Sequence, residues 1–310
     1  MSLFLSGCPL WVTTILLIIL PTAAAMGVLV LIRGHVGLER LTTNNEVAGF
    51  KFAVVGVIYA VLLAFAVIVV WERYTEAEVA VVQEAGAAAT VYRLSTGSEP
   101  EAIATRAALG NYLRLAIARD WPQMAVERES PDVTRALDVL YAAALHLAQG
   151  GSRQPAVLVE LFNQLDTITK ARRSRLHLAV GIVPGVLWAA LTLGGILTVA
   201  FTFFFGTENL KAQVMMTGVL AIIVFLGLFV IVSIDHPFTG PVHVGSGPLQ
   251  HVLEDFSAAG AAAPAQRPEP PSTRSVSPLT QRAEPDARNT TAAAMSSGWA
   301  MRFGACMPSV

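Results

Sequence analysis

The sequence predicts an all-α integral membrane protein with four transmembrane helices and a helical bundle inserted between helices two and three. Three observations predict it. Of the 310 residues, 54% are hydrophobic and only 14% are charged, and the mean hydropathy of +0.57 is too apolar for an ordinary soluble domain. No Asp, Glu, Lys or Arg occurs in Met1–Ile32, Phe52–Trp71, Leu176–Thr207 or Ala212–Ile234, and each stretch supplies the ~20 apolar residues that cross a ~30 Å hydrocarbon core. The charged stretch Glu72–Arg175 is far too long for a structureless loop, and its apolar residues recur at helical spacing.

The expected spans are Leu10–Ile32, Phe50–Trp71, Ile182–Phe205 and Ala212–Ile234. Aromatic residues fall where membrane interfaces belong: Trp11, Phe50 and Phe52, Trp71 and Tyr74, and the cluster Phe201, Phe203, Phe204 and Phe205. Pro21-Thr22-Ala23-Ala24-Ala25 has the small residues of a leader-peptidase site, but no Lys or Arg precedes it, so cleavage is not expected. Leu5-Ser6-Gly7-Cys8 matches a lipobox in letters with too short an apolar run before it.

Four spans place both chain ends and the insertion on one side. Near the membrane that side carries Arg73, Lys170, Arg172, Arg173 and Arg175, against Arg33, Arg40, Lys51 and Lys211 on the other. The excess, clustered ahead of span three and read as topology signalling, places the termini and the insertion in the cytoplasm. The chain thus divides into residues 1–71 with spans one and two, 72–175 as the cytoplasmic helical domain, 176–234 with spans three and four, 235–257 as a juxtamembrane segment, and 258–310 as a disordered tail. The tail is rich in Ala, Pro, Ser and Arg without any period.

Within the insertion, Ser98-Glu99-Pro100-Glu101 reads as a capping box opening a helix through Ile103, Ala107, Gly110 and Ile117 to Trp121-Pro122. Ser130-Pro131-Asp132 opens another, with Val133, Leu137, Leu140, Ala144 and Leu147 on one stripe and Gly150-Gly151 ending it. Leu158, Leu161, Phe162, Leu165 and Ile168 give a third, expected to run unbroken into span three. Val79, Val82, Gly86 and Ala89 extend span two on a small-residue seam. The 13 acids and 12 bases of Glu72–Arg175 are interspersed, as on the solvated face of a bundle.

Acids and bases over the whole chain nearly cancel at 22 against 21, so no global field points to nucleic acid. Cys8 and Cys306 form no metal or disulfide pattern. No hydrolase, kinase, Walker or zinc-protease motif is present, so no enzyme, cofactor or metal site is expected. His236, His243 and His251 match no ligand spacing and read as exposed loop histidines. The uncharged spans lack the titratable groups of a proton-coupled transporter and the paired broken helices of an inverted repeat. Apolar side chains, small residues and backbone are left to line any pathway, which suits a channel built between subunits and gated by dewetting.

Span two is the best lining candidate. Gly56, Ala60 and Ala64 recur every four residues and permit close packing of helices; Tyr59 and Leu63 are neighbouring pore-lining or close-packing candidates. Gly181-x-x-x-Gly185 is a second small-residue motif. Asn44, Asn45, Glu46 and Lys51 fall at the outer mouth, where a ring of Lys51 would attract anions and a single Lys51 would snorkel. Trp71, Glu72, Tyr74, Asp235, Pro237 and Phe238 are candidates at the cytoplasmic boundary.

The strings Asn44-Asn45-Glu46-x-Ala48-Gly49-Phe50, Val55-Gly56-Val57-Ile58-Tyr59-Ala60-Val61-Leu62-Leu63, Trp71-Glu72-x-Tyr74 and Asp235-x-Pro237-Phe238-x-Gly240 resemble the bacterial bestrophin-like membrane family, from about Leu10 to Phe256. The resemblance implies four spans, a helical cytoplasmic portion and, by analogy with bestrophins proper, a homo-oligomeric and pentameric channel for small anions such as chloride, constricted by apolar residues of helix two. It also implies the bacterial inner membrane. No neck residue or calcium ligand of bestrophins aligns onto this chain. The expected partners are the lipid bilayer, further copies of the chain and small ions. The alternative is a non-conducting scaffold or sensor whose helical domain binds a cytoplasmic partner; a membrane-embedded enzyme ranks third.

Overall fold

The computed structural model describes residues 9–42, 45–151, 153–181, 183–240 and 242–261. Asn44, Ile182, Cys8, Cys306 and the tail from residue 262 lie outside the described residues. Every regular element among the described residues is helical, and four helices are long and apolar enough to cross a membrane.

Helix α1 (Leu10–His35) contains a π turn over Ile15–Ile19. The turn sits just ahead of Pro21, whose ring lacks an N–H and crowds the carbonyl four residues back, so the ladder widens instead of breaking. The short α2 (Leu38–Thr42) leads to α3 (Asn45–Leu94). With 50 residues, α3 is about 75 Å long at 1.5 Å per residue. It starts five residues before the expected Phe50, because nothing between Asn45 and Phe50 breaks a helix. Its apolar first half belongs to the membrane-spanning helices and its second half to the bundle, so one rod links both.

The bundle follows as α4 (Pro100–Leu115), a π turn (Ala116–Asp120), α5 (Trp121–Met124), α6 (Pro131–Gln149) and α7 (Pro155–Leu178). The second π turn again precedes a proline, Pro122, so the helix continues to Met124 where an end at Trp121-Pro122 was expected. Residue Glu99, not Ser98, occupies the N-cap of α4, and no side chain caps it. The stripe Val133, Leu137, Leu140, Ala144 and Leu147 is buried, as are Leu161, Leu165 and Ile168 of α7. On α4 the inward face holds Ala102, Leu109, Tyr112 and Leu113, while Ile103 is exposed. The seam of α3 here is Ala77, Ala80, Val81, Ala85, Ala88 and Val91; Val79 and Val82 point outward.

The expected continuous rod from the bundle into span three is interrupted. Helix α7 ends at Leu178, and α8 (Gly185–Phe201) starts from Pro184 at its N-cap. The proline cannot sit inside a helix without losing a hydrogen bond. Gly181 and Gly185 therefore do not share a helix face. The α8 backbone closes through a 3₁₀ turn at Thr202–Phe204, and α9 (Leu210–Ile234) opens on Asn209, whose side chain accepts from the Lys211 and Ala212 amides. The second half of the juxtamembrane segment forms α10 (Gly247–Ala261) against α3 and α4, and this helix runs past residue 258, where the disordered tail was expected to begin. It stacks Phe256 on Tyr92 at 3.9 Å.

Two apolar cores result. One lies in the bundle and includes Phe238, Val244 and Leu249, so the segment read as juxtamembrane packs into the bundle itself. The other joins α1, the first half of α3, α8 and α9. In the apolar windows of α1 and α3 only 17% of residues are buried, against 39% in α9. Helix α9 is therefore the centre of the span group, and α3 stands on its outside.

Candidate functional site: the open face of the second span and its two ends

Along α3 the two faces differ in what they meet. Tyr59 is buried, and Cβ atoms added to Gly194 and Gly195 of α8 would lie 2.9 Å and 2.8 Å from its ring carbon Cδ2 and its Oη. Leu63 sits over Gly227 of α9. Both side chains thus pack within the subunit, the glycines being what lets them fit. Opposite them, Ala53, Val57, Val61 and Phe65 form an exposed row at four-residue intervals, flanked by Ala60, Ala64 and Ile68 on one side and by Val54 and Ile58 on the other. Gly56 is half-buried and has open space where its side chain would be. The small-residue series Gly56, Ala60, Ala64 therefore finds no partner helix inside the subunit. A face this apolar, carrying no Asp, Glu, Lys or Arg from Phe52 to Trp71, demands lipid or another protein surface.

At one end of α3, the Asn45 amide pairs with the Gly206 backbone: Nδ2 donates to the carbonyl at 2.7 Å and Oδ1 accepts the amide at 3.0 Å. Arg33 of α1 donates to the Thr207 carbonyl at 2.8 Å. The α8–α9 loop is thereby tied to both α1 and α3, which puts Arg33, Asn45 and that loop on one side. Glu46 and Lys51 are exposed and do not join this network.

At the other end, spans and bundle meet around the turn after α9. The Asp235 carboxylate accepts from the Val183 amide at 2.9 Å, pinning the break between α7 and α8. Phe238, 4% exposed, meets Trp121 edge-on at 6.1 Å. The Trp121 indole donates to the Val244 carbonyl, and the Val244 amide returns to the Pro237 carbonyl. His236, expected in an exposed loop, is only 2% exposed. Its Nε2 lies 3.3 Å from Glu127 and its Nδ1 3.4 Å from Asp235. Glu127 has a positive φ of 57°, and its carboxylate also accepts the Gly181 amide. Trp71 and Glu72 remain exposed, with Trp71 stacked on Tyr74 at 6.3 Å. Burial, then the nearby Glu78 carboxylate, raises the Tyr74 hydroxyl pKa.

Gly181 is a tight point of this junction, since a Cβ there would sit 2.7 Å from His236 Nε2. Because the ring is buried between two carboxylates, Gly181→Ala is expected to cost about 1–3 kcal/mol of stability. A lowered midpoint in thermal unfolding of the detergent-solubilised protein checks this, and an unchanged midpoint refutes it.

A second group was not foreseen from the sequence. Glu84, Asp120, Arg172 and Arg175 are all buried inside the bundle. Arg175 grips Glu84 through Nε at 2.9 Å and Nη2 at 3.1 Å, and Nη2 reaches Asp120 at 3.4 Å. Its guanidinium lies 4.4 Å over the Trp121 ring, a cation–π geometry. Arg172 binds Asp120 through Nε at 2.9 Å, and Asp120 also accepts the Ser130 amide. The Tyr112 hydroxyl donates to Glu84 at 2.6 Å. Burial first, and then the Glu84 charge, push that phenol well above its ordinary pKa, so it remains a donor. Burial disfavours the Arg175 charge, but Glu84, Tyr112 and Asp120 outweigh it and raise its pKa. Arg172 and Arg175 are thus interior ligands of carboxylates, whereas topology signalling requires them near the lipid surface; among the four basic residues before span three, Lys170 and Arg173 stay exposed.

The sequence matches the Bestrophin-like domain family over residues 19–249, most of the chain. This chain belongs to the bestrophin-like family. Its fold is also that of solved bacterial Bestrophin homologs from Klebsiella pneumoniae. A tryptophan-to-alanine variant of that protein matches with a TM-score of 0.62 at 13% identity, over 79% of this chain and 98% of that one. A tyrosine-to-alanine variant gives 0.60 at 16% identity, over 79% and 98%. The form phased with zinc gives 0.57 at 15% identity, over 76% and 98%. No curated protein matches the sequence. In this bestrophin-like chain, the Asp235-x-Pro237-Phe238 string acts as the clasp between spans and bundle.

Proposed function

We propose that this chain is one subunit of an oligomeric, bestrophin-like ion channel for small anions such as chloride, with the permeation path running between protomers. The reading rests on one observation above all: the exposed apolar face of α3, continuous with a rod that extends into the bundle. Spans that bury so little of themselves leave a broad face open to further copies of the chain. In this reading the Val57, Val61 and Phe65 row faces the axis and forms the constriction. The slimmer Gly56, Ala60 and Ala64 stripe lets the neighbouring protomer approach. A five-fold ring is the assembly that family membership favours, in the bacterial inner membrane with both termini and the bundle in the cytoplasm. The bundle then encloses a vestibule.

Lys51, exposed immediately before the apolar run, stands at the outer mouth in this arrangement. A ring of cations there raises local anion concentration without entering the constriction. Purified protein in planar bilayers under a chloride gradient tests the proposal: a reversal potential that follows chloride is expected, and silence together with a two-fold particle would sustain the scaffold reading instead. Lys51→Glu is expected to shift the reversal potential toward cation preference, with a larger shift at low salt, where screening is weak. A potential unmoved by the charge reversal would take Lys51 off the path.

A further inference from the structure

A cavity of about 300 Å³ opens where α3 leaves its apolar half and α7 gives way to the turn before α8. Its described lining residues are Arg73 of α3, His177 and Leu178 of α7, and Val180 and Gly181 of the turn. Two of these carry side-chain nitrogen donors, and none is Asp or Glu. Both donors are accessible: the Arg73 side chain is 49% exposed, and His177 is exposed. Among the described residues Arg73 is engaged only through Nη1, by Glu76. That is an exposed i,i+3 pair of the kind that contributes little, and it leaves the other guanidinium N–H groups available. The His177 ring offers an N–H in either protonation state.

The turn behind these side chains is held from within, by Glu127 on the Gly181 amide and Asp235 on the Val183 amide. The wall is therefore fixed, and the Gly181 N–H is already taken, so the pull on a ligand comes from the two side chains. The carbonyl end of α7 sets about half a negative charge against an anion here. The guanidinium alone carries a whole positive charge, so the cavity attracts anions on balance. Its membrane side is apolar: Val69, one turn before Arg73 on the same face of α3, is exposed, as is Trp71 at the aromatic boundary of the span.

We propose that this cavity binds a phosphate group of net negative charge, for which the adjoining apolar surface favours an anionic phospholipid as the source. The phosphate oxygens accept from the Arg73 guanidinium and the His177 ring, and the acyl chains descend along α3 past Val69. Phosphate is the anion selected because it is the one that a membrane surface presents at this level. The proposal goes beyond conduction and rests only on the membrane embedding of α3 and α8.

Native mass spectrometry of the detergent-purified full chain tests it, with phosphatidylglycerol and phosphatidylcholine of identical chains added in equal amounts. Both lipids carry a phosphate, but the choline cation of the second is repelled by the side chains that hold the first. Phosphatidylglycerol is expected to occupy the protein at least about threefold more, the ratio that one exposed charge contact supplies. Arg73→Gln with His177→Gln should erase that preference while leaving the thermal midpoint at the parent's, since both positions are exposed. Arg93→Gln, which removes an equal charge from the exposed far end of α3, should leave the preference intact. Millimolar inorganic phosphate separates the sources. A preference that survives it sustains the lipid site; one that it abolishes, with phosphate adducts that also need Arg73 and His177, sustains the same site with a soluble occupant. Equal occupancy by both lipids, a preference unmoved in the double variant, or an equal fall in Arg93→Gln overturns the proposal. A phosphatidylglycerol preference with no current in bilayers would sustain this site and refute only the channel.

Discussion

Arg175→Met is expected to lower the unfolding free energy of the protein by about 3–5 kcal/mol, the usual cost of removing one partner from a buried ion pair. Methionine matches the length of the arginine stem, so little packing is lost. What remains is the problem: Glu84 loses both guanidinium bonds and Asp120 loses one of its two arginines, in an interior with no route to water. The damage is not local. Glu84 sits on α3, Tyr112 on α4, Asp120 in the π turn and Arg175 on α7, so the network joins four pieces of the bundle. Thermal unfolding in detergent measures the effect. Arg173→Met, two residues away on the exposed side of the same helix, is the control and should stay within about 0.5 kcal/mol of the parent. Arg175→Lys should recover only part of the loss, since an ammonium cannot form the paired bonds to Glu84. Equal stability of Arg175→Met and Arg173→Met would show that the buried charges do not hold the bundle together.

The second large effect concerns permeation. Phe65→Ser is expected to raise unitary conductance about tenfold, equivalent to a 1.4 kcal/mol fall in the barrier. An apolar ring hinders ions chiefly by excluding the water that must accompany them, and a hydroxyl from each protomer rehydrates that level while widening it. Ala64→Ser, next along the helix and directed in this reading toward a neighbour, should change conductance by less than about twofold. Single-channel recording distinguishes the two substitutions. If Ala64→Ser opens the pore and Phe65→Ser does not, the small-residue stripe faces the axis and the assignment of faces on α3 is reversed.

Much of the architecture was legible because its signals are local. Apolar runs of about twenty residues mark spans wherever they occur, and Pro131 with Gly150-Gly151 brackets α6 through backbone chemistry that needs no tertiary partner. Other features were not. Pro184 breaks the rod that heads for span three, and the two π turns let the chain pass Pro21 and Pro122, so similar residues gave opposite outcomes depending on what packs beside them. The small-residue series suffered in the same way: Gly56, Ala60 and Ala64 lie on an open face, while the glycines that do receive a side chain are Gly194, Gly195 and Gly227 on the opposite helices. His236 and α10 lay in a stretch whose period was too short to reveal that it packs into the bundle.

By itself, the amino-acid sequence determined that this is a membrane protein, which four stretches form helices long and apolar enough to cross the bilayer, and where a helical insertion separates the second from the third, since hydrocarbon tolerates only long uncharged helices and that requirement is written residue by residue. Which charges go inside was decided only by the tertiary structure. Arg172 and Arg173 are neighbours with the same chemistry, yet one is buried against Asp120 and the other faces water. The reason is that a charge can leave solvent only where carboxylates from distant segments converge on it, and that convergence exists only once α3, α4 and α7 have packed.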